Sequence, residues 1–232
     1  MPVRAGRGAG PAHLWAGPGD PVPRGVVLLL PSAHALPEGR ALPDANAFVL
    51  EPADASAVPW DVPTAAGFDR DLFREGERVE VDGTRGEVTL SGTTETGVVT
   101  AFLCRADGRV LLLRRSEKVG SFQGHWAAVS GYLEDPTPKE QVLREVQEET
   151  GLSSEDVTVV REGPPVYARG GSQIFVVHPF LLRTRRDDVR IDWEHTEFEW
   201  VDPAEIGKRP SVPKLDRAWA AATHGSALRG KG

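Results

Sequence analysis

The segment Thr137-Pro138-Lys139-Glu140-Gln141-Val142-Leu143-Arg144-Glu145-Val146-Gln147-Glu148-Glu149-Thr150-Gly151-Leu152 constrains this chain more than any other. Thr137, with Glu140 three residues on, forms a capping box. Pro138 occupies the first helical position, where its missing N–H costs nothing. Gly151 supplies the left-handed stop. Val142, Leu143 and Val146 make an apolar stripe that must face a core. Glu145, Glu148 and Glu149 stand at i, i+3 and i+4, so their carboxylates share one face. Like charges at these spacings repel, and two of the three lie in the last turn, where the helix dipole disfavours anions. Arg144 can pair with Glu148 four residues on, which offsets only a few tenths of a kcal/mol. A divalent cation would offset far more. Clustered carboxylate oxygens suit Mg²⁺, a hard ion that shares its remaining positions with water and substrate phosphates. A bare Glu-x-x-Glu-Glu helix would be read as an ordinary solvated face. The Gly-containing loop from Gly120 to Gly131 that feeds this one favours the metal.

The rest of the chain divides in two. Eleven of the 19 prolines fall within residues 1–66 and none between 67 and 135. The opening Gly-, Pro- and Ala-rich stretch, residues 1–22, reads as a poorly ordered lead-in. A β-rich accessory domain over residues 23–93 follows. Val26–Leu30 and Ala47–Leu50 read as buried strands, and residues 78–90 as a hairpin whose turn opens at Asp82-Gly83. The polar run Ser91–Thr96 marks the boundary. From Gly97, strands at 98–104, 110–113, 157–160, 173–182 and 198–201 surround the acidic helix, with a short helix over 214–223 and a polar tail. Strands interleaved with few helices predict a mixed-sheet α/β (α+β) sandwich, not a doubly wound sheet.

Composition excludes several classes. With 34 acidic against 27 basic groups the formal charge is −7, so nothing suggests a nucleic-acid partner. Cys104 is the single cysteine, which removes an intrachain disulfide and leaves no partner for a zinc site. The longest apolar stretch, residues 25–30, is too short to span a membrane, and no signal peptide is legible, so a cytoplasmic protein is expected.

Residues Arg144-Glu145-Val146-Gln147-Glu148-Glu149-Thr150-Gly151-Leu152 resemble, position for position, the second half of the Nudix box, Arg-Glu-U-x-Glu-Glu-x-Gly-U with U apolar. The resemblance covers residues 97–210, leaving residues 211–232 as the C-terminal helix and tail. It implies a Nudix mixed-sheet α/β/α sandwich and Mg²⁺-dependent cleavage of a nucleoside diphosphate linked to another group, with Mn²⁺ as a substitute ion. The first half of the box departs from the pattern. With seven residues intervening, the expected Glu before Arg144 falls on Pro136, and Gly131 is one residue closer than the pattern asks. Glu134 and Asp135 are candidates to replace that acid. The stretches 115–132 and 191–203 further resemble the Nudix domains found with initiation factor 2B-related proteins.

The resemblance implies roles for particular residues. Glu145, Glu148 and Glu149, with the carbonyl of Gly131, would hold the metal, and Arg144 would orient a carboxylate. Glu194 and Glu197 are candidates for a further ligand or base from a distant loop. Arg114 and Arg115 end a strand near Lys118, and since adjacent strand residues face opposite ways, at most one of the two arginines can meet a diphosphate. His125 is a candidate substrate contact, while Trp126, Trp200 and His178 read as packing residues. The expected partner is a small nucleotide, and a homodimer is left open.

The N-terminal strands and hairpin are similar to the swivelling phosphohistidine domain of phosphoenolpyruvate-utilising enzymes. Residues 54–63, where its histidine would fall, contain none, and His34 lies too early. A non-catalytic accessory module is therefore expected, serving as a lid, dimer surface or docking module. The alternative to a hydrolase is a non-catalytic Nudix module that binds a nucleotide-like ligand.

Overall fold

A computed structural model describes residues 2–32, 35, 45–51 and 62–224. It separates into two compact units, Met1–Thr94 and Glu95–Gly232. His34 and most of the segment 54–63 lie outside the described residues, as does the tail beyond His224.

The N-terminal unit is built on a seven-stranded sheet. Its strands are β1 (Pro2–Arg4), β2 (Arg7–Leu14), β3 (Val26–Leu30), β4 (Ala45–Leu50), β5 (Thr64–Ala66), β6 (Arg78–Asp82) and β7 (Glu87–Leu90), in the order β1-β5-β4-β3-β2-β6-β7. Strands β2 to β5 pair in parallel, whereas β6 and β7 form the antiparallel hairpin expected from the sequence. Asp82 closes its turn by accepting from the N–H groups of Thr84 and Arg85 at 3.0 and 3.1 Å. The left-handed residue of that turn is Gly86, at φ 70°.

Residues 1–22 are not the lead-in that their composition suggests. They supply β1 and β2, and β2 lies between β3 and β6 near the middle of the sheet. Its glycines are packing residues. A Cβ on Gly8 would stand 2.1 Å from the Asn46 carbonyl oxygen, and one on Gly10 would stand 2.2 Å from that of Gly25. Small side chains here let neighbouring backbone approach, a use of glycine that composition alone does not distinguish from a loop.

The C-terminal unit carries an eight-stranded sheet. Strands β8 (Thr94–Cys104), β9 (Val110–Arg115), β10 (Trp126–Ala127) and β11 (Val129–Tyr132) precede the helix α1 (Pro138–Thr150). Strands β12 (Val157–Glu162), β13 (Val166–Gly170), β14 (Gln173–Thr184) and β15 (His195–Val201), then helix α2 (Leu215–His224), complete it. The central order is β10-β9-β8-β14-β12, with β11 paired to β8, β13 to β14 and β15 to β9.

Alternation along the strands sorts side chains between two cores. Ala101, Leu103, Leu111, Leu113 and Phe180 pack with Val142 and Val146 of α1. Phe102, Val110, Leu112 and Val201 pack with Leu215, Ala218 and Ala222 of α2. The sheet therefore lies between two helices, an α/β/α sandwich, and a residue's parity on β9 decides which helix it faces.

Deleting residues 1–14 is expected to abolish cooperative unfolding of the N-terminal unit and its slow amide exchange, because a central strand is lost. A dispensable lead-in would leave both unchanged, and hydrogen-exchange mass spectrometry distinguishes the outcomes.

Candidate active site

The acidic helix forms as its sequence dictates. Thr137 has extended backbone and its hydroxyl accepts from the Glu140 N–H at 3.2 Å, while Gly151 at φ 72° returns its N–H to the Gln147 carbonyl. Burial of Val142 and Val146 then fixes the rotation of α1, which turns a stripe of polar residues toward β11. That stripe is Gln141, Glu145 and Glu149, spaced i, i+4, i+8.

Gln141 is fully buried and joins the loop to the helix. Its side-chain oxygen accepts from the N–H groups of Glu134 and Asp135 at 2.8 and 2.9 Å, and its amide donates to Glu145 Oε1 at 2.6 Å. Glu145 lies directly against Gly131, where an added Cβ would stand 2.1 Å from its carboxyl carbon. Gly131 is thus required for a close approach of backbone and carboxylate. Burial pushes the Glu145 carboxyl above the usual range, with Glu148 and Glu194 adding to the effect against Gln141 and Arg144.

Glu149 is only 3% exposed. One oxygen accepts from the Ser130 N–H at 3.2 Å, while the other is buried without a hydrogen-bond partner. Burial raises its pKa well above the ordinary value, and Glu145, Glu194 and Asp192 push the same way. Glu148 is exposed and turned toward Arg144, whose Nη1 lies 3.5 Å away.

Arg144 also settles the irregular loop. Its Nε donates to Asp135 at 2.9 Å, and its Nη2 meets Glu134 at 3.4 Å. Asp135 is the closer partner, so both candidate acids reach Arg144 and Asp135 holds it more tightly. Proline at 136 does not leave the arginine without a loop acid.

The loop before β15 brings in Glu194. Burial raises its carboxyl, Asp192 and Glu148 raise it further, and Arg115 lowers it. Glu194 accordingly belongs with the helix carboxylates. Glu197 does not. It pairs with Arg114 across β9 and β15, at 2.7 Å. Arg114 shares parity with Leu112 and so faces the α2 side of the sheet, away from the glutamates. Arg115 shares parity with Leu111 and Leu113, on the α1 side. A shift in register between His195 and Glu197 puts these two residues, which unbroken alternation would place on one face, on opposite faces of the sheet.

The remaining candidates lie in the loop 116–125. Lys118 is exposed, and its N–H donates to the Ser116 hydroxyl at 3.2 Å. His125 sits 3.0 Å from the Gln123 carbonyl with its ring edge-to-face against Phe122. Arg115 Nε donates to the Ser121 carbonyl at 3.0 Å, which ties this loop to the site's face. Cys104 is half-buried and its thiol is pushed up to about 11, a poor nucleophile.

Two contributors were not anticipated, Gln141 and His195. His195 is buried, its Nδ1 is 3.1 Å from Asp192, and its Nε2 is 3.7 Å from the orphaned oxygen of Glu149. Gln141 follows the exposed Lys139 and Glu140, so no apolar pattern in the sequence marked the first as buried. The second needed the tertiary structure.

The donor set fits a hard divalent cation. It consists of carboxylate oxygens, one of them buried and unpaired, beside a backbone kept open at Gly131. Among the described residues no three acidic, His or Cys side chains are already drawn close enough to enclose an ion. Glu148 would have to leave Arg144, and the 3.5 Å contact between them is a weak tether.

A family model described as "NUDIX domain" matches residues 94–222, more than half of the chain. The chain belongs to the Nudix family. Over 112 residues it is 34% identical to a MutT-like protein of Streptomyces ambofaciens, covering 48% of this chain and 66% of that protein. Over 119 residues it is 34% identical to an RNA pyrophosphohydrolase of Stenotrophomonas maltophilia, covering 43% of this chain and 55% of that protein. The chain thus spans between half and two thirds of these relatives' lengths. A solved MutT protein from Methanosarcina mazei Go1 shares 26% identity at a TM-score of 0.47, covering 54% of this chain and 89% of that one. Among the described residues no helix is long and apolar enough to cross a membrane.

Glu149 generates a stability prediction. Its folded pKa lies above the unfolded one, so the metal-free folded state retains a proton that the unfolded state has released. Metal-free stability should therefore fall as pH rises above about 4.5, the unfolded value, until the folded group also ionises. Glu149→Gln is expected to stabilise the metal-free protein at pH 7 by about 1–3 kcal/mol and to flatten that pH dependence. Thermal denaturation in EDTA across pH 4.5–8 reads both effects, and an unchanged profile would contradict them.

Proposed function

We propose that this chain is a divalent-cation-dependent pyrophosphohydrolase that cleaves the diphosphate of a nucleoside diphosphate linked to another group. The observation that carries this reading is Glu149, buried beside β11 with one carboxylate oxygen unpaired and its carboxyl pushed upward by burial and by the neighbouring Glu145 and Glu194. Such a cluster weakens the fold unless a cation neutralises it. Mg²⁺ fits the oxygen donors, and Mn²⁺ would substitute.

Glu145, Glu148 and Glu149 would hold the ion, with the carbonyl of Gly131. When bound, that ion supplies Lewis acidity and charge neutralisation at the diphosphate. Arg115, on the same side of the sheet, meets the phosphate oxygens, whereas Arg114 is engaged with Glu197. Water attacks phosphorus, the bridging P–O bond breaks, and a carboxylate oxygen of Glu194 takes the proton released by the water. A raised carboxyl favours that transfer, since a base works best with a pKa nearer the working pH. Arg144 positions the others through Asp135, Glu134 and Glu148. The names of the relatives, an RNA pyrophosphohydrolase among them, support phosphoanhydride chemistry. The net charge of −7 favours a small nucleotide over a long polyanion. Residues 1–94 are assigned an accessory role.

A panel of ADP-ribose, diadenosine polyphosphates, NADH, coenzyme A, nucleoside triphosphates and 5′-triphosphorylated RNA, scored with and without Mg²⁺, tests the proposal. At least one small nucleotide should be cleaved only with the ion. Glu148→Gln, on an exposed side chain, should lower that turnover by about a hundredfold or more while leaving the fold intact. Thermal stabilisation by a nucleotide with no product from any compound would instead identify a binding module.

A further inference from the structure

Glu149 Oε2 and His195 Nε2 are both buried and both lack a hydrogen-bond partner. They lie 3.7 Å apart, just beyond bonding distance, with side chains 4% and 1% exposed. Two polar atoms buried side by side without a protein partner each forgo a bond worth far more in the interior than in water. The imidazole is itself fixed, because its Nδ1 is 3.1 Å from Asp192 Oδ1. Asp192 is anchored in turn, accepting from the Glu194 N–H at 3.1 Å. The opposite oxygen of Glu149 is held from β11 by the Ser130 N–H at 3.2 Å.

We propose that His195 is a positioning residue for Glu149: when a cation engages the carboxylate cluster, the ring, protonated on both nitrogens, donates Nδ1–H to Asp192 and Nε2–H to Oε2, fixing that carboxylate from the β15 side. Asp192, His195 and Glu149 then form a chain running from a surface loop to the metal-facing helix. Its outer end also sets the backbone of Glu194, so one carboxylate, Asp192, orients both of the flanking acids. This inference rests on the metal reading above, and it assigns His195 no contact with substrate and no part in bond breaking. An equivalent logic operates where a histidine's far nitrogen is fixed by an outer carboxylate, and loss of such outer partners lowers metal affinity by about 10–100-fold.

The test measures Mn²⁺ binding to the full chain by electron paramagnetic resonance, without substrate or turnover. His195→Leu, which keeps bulk and removes the polar atom, should weaken Mn²⁺ binding by about tenfold or more. His195→Gln, whose amide can still donate to Oε2, should recover most of that loss. Asp192→Ala, at a half-buried position, should weaken binding in the same direction and serves if the histidine variants fail to fold. A residue that merely fills space would give equal losses in Leu and Gln variants, or none. Unchanged Mn²⁺ affinity in folded His195→Leu, or in Asp192→Ala should that variant not fold, overturns the positioning role alone. Absence of Mn²⁺ uptake by the unsubstituted protein overturns the metal reading and this inference together.

Discussion

Carboxylates folded against backbone, in a setting that disfavours their charge, are what the C-terminal unit is organised around. The Glu145 carboxylate lies in the space that a side chain at Gly131 would take, and Glu149 is sealed beneath β11 with one oxygen unpaired. Neither arrangement helps the fold by itself. Desolvating a carboxylate costs several kcal/mol, and neighbouring acids make ionisation harder still, Glu194 for both and Glu145 for Glu149. The hydrophobic contacts of Val142 and Val146 supply the compensating free energy and press the acidic face inward. Stability and chemistry are thus opposed across a single helix, with its apolar side holding its charged side in place.

The sheet adds a second sorting device. Parity along β9 sends Arg115 to the face that carries the glutamates and Arg114 to the other, where Glu197 neutralises it. The shift in register at the start of β15 turns His195 to the Arg115 side of the sheet while Glu197 stays on the opposite face. Asp192 controls the junction, because it binds both the His195 ring and the Glu194 backbone.

Much of this was legible in the residues. The i, i+3, i+4 spacing of Glu145, Glu148 and Glu149, the Thr137 cap and the Gly151 stop depend only on helix geometry, which sequence carries directly. The two-faced behaviour of Arg114 and Arg115 follows equally from the strand period. What sequence could not supply was the face taken by His195, since an irregular pairing breaks the period at that point. His195 was hidden because its significance lies in an atom contributed by another element. The opening residues misled for a different reason. Gly8 and Gly10 serve close backbone approach within a sheet, and their composition is indistinguishable from that of a loop.

The central claim is that these carboxylates exist to grip a divalent ion, and crystals of the protein soaked in Mn²⁺ test it most directly through anomalous scattering. The account predicts a peak bounded by the side chains of Glu145, Glu148 and Glu149 and the carbonyl of Gly131, with Glu148 drawn away from Arg144. Well-ordered crystals with no peak at that place, and Glu148 still on Arg144 at saturating Mn²⁺, would contradict it.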